Sequence, residues 1–206
     1  MDKYNQKIGF FNEGKYFKNT KGLVFSSDIF FVFFQKLFRG KKIKTIGRLS
    51  TNEFFPKYSF DTSSDFTPLT YYKSISKLLL IFPYYILKNN KKINFFIEQV
   101  DVLFISPSGP LSVFFLNKIK NKNKKVVLFI RQDTRKLISI KNNNNFVAKI
   151  LANLIETYIE KFVKNSSNAT VFTFGGEIYK RYLGLSSSTF SIADSRYNNS
   201  DILSIN

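Results

Sequence analysis

The chain contains neither cysteine nor histidine, and these two absences remove more chemistry than any motif supplies. Without a thiol there is no disulfide, no thiolate nucleophile and no Cys/His zinc site. Without an imidazole there is no Ser–His pair and no side chain whose ordinary pKa lies near neutrality. Acid–base work falls to 14 carboxylates, to tyrosine and to lysine, and the carboxylates show no metal-ligand clustering. Tryptophan is absent as well. The longest apolar run, residues 78–87, is about half of what a bilayer span requires. The opening MDKYNQKIGFF has no long apolar stretch and no cleavage site, so a cytoplasmic chain without an export signal is expected.

What is abundant is Phe (25 residues) and Tyr (11), with Lys, Ile and Asn, the residue usage of an AT-rich coding sequence. The net charge of +18 has to be read against that background. Arg stands only at positions 39, 48, 131, 135, 181 and 196, and the rest of the positive charge is Lys, scattered singly or within Asn-rich loops. Solvated Lys set by composition is one reading, and attraction to an anionic membrane surface is another. Nucleic acid is disfavoured, because no basic stripe with interleaved aromatics and no known nucleic-acid motif occurs.

The pattern along 206 residues alternates strands and helices in one domain with a sizeable core. The apolar run 100–105 stops at Ser106, and Gly109-Pro110 suits the cap and first position of a helix carrying Leu111, Phe114, Phe115 and Ile119. Strands are expected at 7–11, 41–49, 126–130 and 169–174, with a short edge strand within 66–72. Residues 12–22 read as a polar loop. Ser26 or Ser27 caps a helix whose buried face is Ile29, Phe30, Phe33, Phe34 and Leu37. From Ser74 a helix kinked at Pro83 is apolar on nearly all sides, which suits either deep burial or partial setting into lipid between Lys77 and Lys92. Residues 146–164 form an amphipathic helix with Val147, Ile150, Leu151, Leu154, Ile155, Tyr158, Ile159 and Phe162 on one face, and Glu160 paired with Lys164. A short helix follows Gly175-Gly176. The stretch from Ser186 is loosely patterned. The expected fold is therefore α/β: a doubly wound, mainly parallel sheet with helices on both faces and with 100–105 central.

The segments KIGFF, FTPLTYYKSI, DVLFISPSGP, VVLFIRQD, EKFVKNSSNATVFTF and GGEIYKRYL, in this order, resemble the N-terminal domain of family-4 glycosyltransferases, which have the two-domain, Rossmann-like GT-B fold. Lys21-Gly22 stands where a paired glycine is common, and Gln132 or Asp133 stands where a histidine often follows the fifth strand. The resemblance implies a domain over residues 1–185, with 186–206 a tail or the start of a linker to a donor-binding half that lies outside these residues. It implies the acceptor-binding half of a nucleotide-sugar-dependent enzyme of surface-glycan or lipid-linked saccharide synthesis, inactive alone, cytoplasmic and peripheral on the membrane. It implies no cofactor and no metal. A non-catalytic membrane-associated subunit that works with a separate donor-binding chain is the alternative.

Under that resemblance the acceptor-side residues are Arg131, Asp133, Arg135, Tyr71, Tyr72, Ser106, Ser108 and Glu177, and Lys21 and Gly22 approach a donor phosphate. Planar, multivalent side chains and flat aromatic faces suit a polyhydroxyl ligand. Each also has a plainer reading. Arg131, Asp133 and Arg135 can pair among themselves, Ser106 and Ser108 can cap a helix, Tyr71 and Tyr72 can be core aromatics. Glu177 can answer a helix dipole, and Gly22 can be a turn.

Overall fold

The computed structural model describes residues 6–22, 24–26, 34, 37–38, 41–50, 65–141 and 145–192. Its strands are β1 (Ile8–Lys18), β2 (Val24–Ser26), β3 (Ile43–Ser50), β4 (Phe66–Leu69), β5 (Val102–Ser106), β6 (Lys125–Ile130), β7 (Ala169–Phe174) and β8 (Thr189–Ile192). Between them lie α1 (Ile75–Leu80), α2 (Phe82–Glu98), α3 (Pro110–Ile119), α4 (Thr134–Lys141), α5 (Phe146–Asn165) and α6 (Gly176–Leu183). Strand order is β4-β3-β1-β5-β6-β7-β8, all parallel, with β2 added antiparallel to β1. This is a Rossmann-like doubly wound sheet, with β5 at its centre and β4 at an edge as the sequence leads one to expect.

Side-chain alternation divides the core into two. Phe11, Leu103, Ile105, Leu128, Ile130 and Val171 face the layer formed by α2, α3, α5 and α6. Ile8, Phe10, Phe104 and Phe129 face the other side, where Phe34 covers them. On that second face Phe104, Phe129, Phe172 and Phe190 stack ring on ring across four adjacent strands, with centroids 5.9, 5.4 and 5.4 Å apart. The abundance of Phe thus becomes a cross-strand ladder, each step a favourable aromatic pair.

Several expectations are corrected. Residues 12–18 are not loop. β1 continues through Lys18 and folds back along β2, in a hairpin whose Gly22 has φ +83°. Ser26 is the last residue of β2, and Ser27 with the start of the helix expected there lies outside the described residues. Phe34 is buried, Leu37 is 56% exposed, and the remainder of that expected helix lies outside the described residues. In the stretch from Ser186, read as loosely patterned, β8 pairs with β7. The segment from Ser74 is two helices rather than one bent one: α1 ends at Leu80, and Pro83 stands in the first turn of α2. It is not apolar-buried all round either. Leu78, Tyr85, Ile93, Phe96 and Ile97 face the core, while Leu80, Tyr84 and Leu87 are 83, 61 and 78% exposed. On α5 the buried face is Ala152, Ile155, Ile159, Phe162 and Val163, and Val147, Ile150 and Leu154 are exposed. Among the described residues no helix is long and apolar enough to cross a membrane.

Candidate functional site at the carboxyl edge of the sheet

In a doubly wound sheet, ligands bind outside the carboxyl ends of the strands where the winding reverses. Here that switch point lies between β1 and β5, whose ends meet at Asn12 and Ser106. Against β3, β1 advances four positions from Phe11 to Lys15 while its partner advances two, from Ile46 to Arg48. Such a bulge re-aims side chains. Asn12 Oδ1 closes it by accepting the Gly14 N–H at 2.9 Å.

The bulge turns Glu13 inward. Its carboxyl accepts the Ser112 backbone N–H at 2.7 Å and the Ser112 hydroxyl at 3.0 Å, both at the N-terminus of α3. A Cβ on Gly109 would collide with Glu13 Oε2, so the glycine that caps α3 also leaves room for the carboxyl. Arg48 lies over the Tyr72 ring, 4.3 Å from its centroid, and donates to the Tyr72 carbonyl at 3.0 Å. The Tyr72 and Tyr85 hydroxyls lie within electrostatic reach of Glu13, yet neither makes a hydrogen bond of ordinary length and angle. Buried Asn89 anchors this corner, accepting the Thr70 N–H at 3.0 Å and donating to the Tyr85 carbonyl at 2.8 Å.

Burial pushes the Glu13 carboxyl above its ordinary 4.5, against the opposing pull of the Ser112 N–H, the Ser112 hydroxyl and the Arg48 charge. Burial likewise pushes the Tyr72 and Tyr85 phenols up, with the neighbouring Glu13 charge adding to it. A carboxyl raised on folding contributes stability below its unfolded value that is lost as pH rises through its folded value. Wild type should therefore lose stability relative to Glu13→Gln from about pH 4.5 upward, by about 1.4 kcal/mol for each pH unit separating the two values. Arg48, Tyr72 and Tyr85 face the carboxyl in both proteins, so the difference isolates Glu13. Urea midpoints between pH 4 and 8 check this, and a difference that does not vary with pH would refute it.

A second constellation closes the far end of the edge, beyond β6 and β7. Arg181 of α6 reaches Asp133 and Glu156 at 2.8 Å each and Glu160 at 3.5 Å. Glu156 is buried and also accepts the Thr134 N–H at 2.9 Å. Asp133 caps α4 by accepting the Arg135 N–H at 2.9 Å. Arg135 reaches Thr157 and Glu160, and Lys136 pairs with Glu177 across the gap to α6. That exposed pair lowers the Glu177 carboxyl and raises Lys136. Glu160 is thus held by two arginines of neighbouring helices instead of the Lys164 expected of it.

The structure sorts the expected acceptor-side residues into two groups. Asp133, Arg135 and Glu177 share the Arg181 network. Ser106 and Ser108 belong to the switch point, Ser106 buried as the last residue of β5 and Ser108 donating its N–H to Ser112 Oγ at 3.3 Å. Tyr72 is core beneath Arg48, Tyr71 is half-buried beside it, and Arg131 is exposed at the end of β6. Lys21 and Gly22 occupy the β1–β2 turn, closed by a Gly22 N–H to Asn19 carbonyl bond of 3.0 Å, and join neither group. Glu13, Arg48, Ser112, Glu156 and Arg181 were missed. Glu13 meets Ser112 across 99 positions of sequence, a pairing that no local pattern announces.

A surface cleft of about 110 Å³ lies at the opposite, amino end of the strands. Of its lysines, Lys122 is paired with Glu98 and Lys124 is bound to the Val100 carbonyl, so it takes no part in the site. No protein-family model, no curated protein and no solved structure matches the chain.

Proposed function

We propose that the chain is the acceptor-side half of a sugar-transferring enzyme of GT-B type, and that its carboxyl edge holds a saccharide. The observation that carries this reading is the lining of that edge. From the switch point to α6 it offers Ser108, Arg131, Gln132, Asp133 and Glu177, all exposed or half-buried, while half-buried Tyr71 follows the edge strand β4 on the other side of β1. Such a row supplies donors and acceptors to a hydroxyl-rich ligand. The first strand supports it from the other side. It does not end in a glycine-rich turn that would cradle a pyrophosphate, but runs on into a hairpin. No part of the sequence resembles the nucleotide-sugar half, so the donor is brought by residues other than these.

Two measurements test the reading. Titrating neutral oligosaccharides into the isotope-labelled chain should shift the amide resonances of residues 131–135 and 108–112 ahead of all others. Calorimetry with nucleotide sugars should give no saturable binding in the low micromolar range. Tight binding of a nucleotide sugar would identify a donor site and overturn the assignment to the acceptor side.

The exposed apolar residues of α1 and α2 favour one addition, that this half works against an anionic membrane surface. Leu80 at the end of α1 and Tyr84 and Leu87 of α2 are all exposed to solvent, as are Lys77, Lys88 and Lys91 of the same two helices.

A further inference from the structure

The N-terminus of a helix that follows a parallel strand is an anion seat, with unpaired N–H groups and the positive end of the helix dipole. At α3 the acceptor that fills that seat comes from the chain itself. Glu13 Oε1 takes the Ser112 N–H and hydroxyl, Gly109 gives it room, and Arg48 stands within electrostatic reach. Helix N-termini often satisfy their amides with a nearby side chain, but that side chain is usually the cap residue itself. Here the cap is Gly109, without a side chain, and the acceptor arrives from β1 on the far side of the switch point. A second observation marks the place as built for polar contact. The Tyr85 hydroxyl, on a side chain 0% exposed, lies within electrostatic reach of this carboxyl and makes no hydrogen bond of ordinary length and angle.

We propose that Glu13 fills the anion seat of the switch point from within, and is thereby the specificity residue that turns phosphate groups away from this crevice and leaves it to uncharged, hydroxyl-bearing ligands. The ligand class rests on the saccharide reading; the filled seat rests on geometry alone. A phosphate approaching the start of α3 finds the Ser112 N–H taken and an acidic group in its path. A sugar hydroxyl, which both donates and accepts, has no such conflict.

The test empties the seat and offers it small anions. Glu13→Ala should lower the thermal midpoint by about 4–8 °C. Sodium formate, compared with sodium chloride at equal ionic strength, should restore most of that loss saturably, and inorganic phosphate should raise the midpoint of Glu13→Ala more than that of wild type. Wild type and Glu13→Gln, whose seat stays occupied, should respond to formate as to chloride. If Glu13→Ala is unfolded at the outset, recovery of its near-ultraviolet tyrosine circular dichroism on adding formate is the same readout. The proposal is overturned if formate does no more for Glu13→Ala than chloride does, or if wild type shows the same saturable response. No sugar enters this assay, so its failure leaves the saccharide reading standing, and a failed oligosaccharide titration leaves the filled seat standing.

Discussion

Replacing Arg181 with methionine should remove about 3–5 kcal/mol of stability, the usual cost of stripping one partner from a buried ion pair. The guanidinium holds Asp133 and Glu156 at 2.8 Å each, and Glu156 is only 2% exposed. Without Arg181 that carboxylate stays buried with hydrogen bonds but no counter-charge. The arginine itself is 26% exposed on its side chain, so solvent screens part of the interaction and the loss belongs at the lower end of the range. Adding Glu156→Gln to Arg181→Met keeps an acceptor for the Thr134 N–H and removes the stranded charge, so the double variant should regain half of the loss or more. Urea unfolding of the wild type, the single variants and the double variant measures this coupling. A single variant within about 1 kcal/mol of wild type would mean that the network is only a surface arrangement.

The second large effect concerns vesicles. The chain should sediment with anionic liposomes at low salt, and Lys77→Gln/Lys88→Gln/Lys91→Gln should weaken that binding by about 10²-fold, roughly 1 kcal/mol for each lysine. Lys92 is not a fit target for this test, since its ammonium is bound to the Pro68 carbonyl at 2.9 Å and serves the fold. Leu80 and Leu87, at 83 and 78% exposure, provide the apolar part, and Leu80→Ser/Leu87→Ser should remove binding that survives at high salt. The two arms separate charge from insertion. If both variants sediment as the parent does, these residues are no lipid contact and the basic charge is composition alone.

How far the sequence revealed this fold depends on where each element finds its partners. β5 and β6 were legible because both of their faces are covered, which leaves a continuous apolar run. The start of α3 was legible because Gly109 and Pro110 are local signals. The second half of β1 was not. Asn12, Glu13 and Gly14 are loop-forming residues by composition, and they become strand because Asn12 closes the bulge on Gly14 and Glu13 finds Ser112 far along the chain. For α5 periodicity found the helix but not its buried face, since Glu156 points inward toward Arg181 and Thr134 while Val147 and Leu154 point out. Polarity misled at both places for one reason: a polar group with a distant partner is as buried as a hydrocarbon.

Of the candidate residues, those that the sequence places at a carboxyl end of the sheet do lie there. Asp133, Arg135 and Glu177 do gather at the ends of β6 and β7, but around Arg181 of α6, which the reading of GGEIYKRYL did not single out. The switch-point group was half seen, through Ser106 and Ser108, because serines at a strand end are visible locally.

The placement of β1 has a consequence for how the protein is made. Its partner on one side, β5, lies 94 positions later in the chain, the separation spanned by the Lys7–Asp101 contact that opens their pairing. At ordinary rates of synthesis β1 waits roughly 5–20 s for that partner after it leaves the ribosome. Through that interval Phe10 and Phe11, both fully buried in the finished fold, have no β5 to lie against. β2 follows within a few residues, and its hairpin occupies one margin of the waiting strand almost at once. The nascent chain, rather than the finished protein, is then the form that exposes this apolar strand to water.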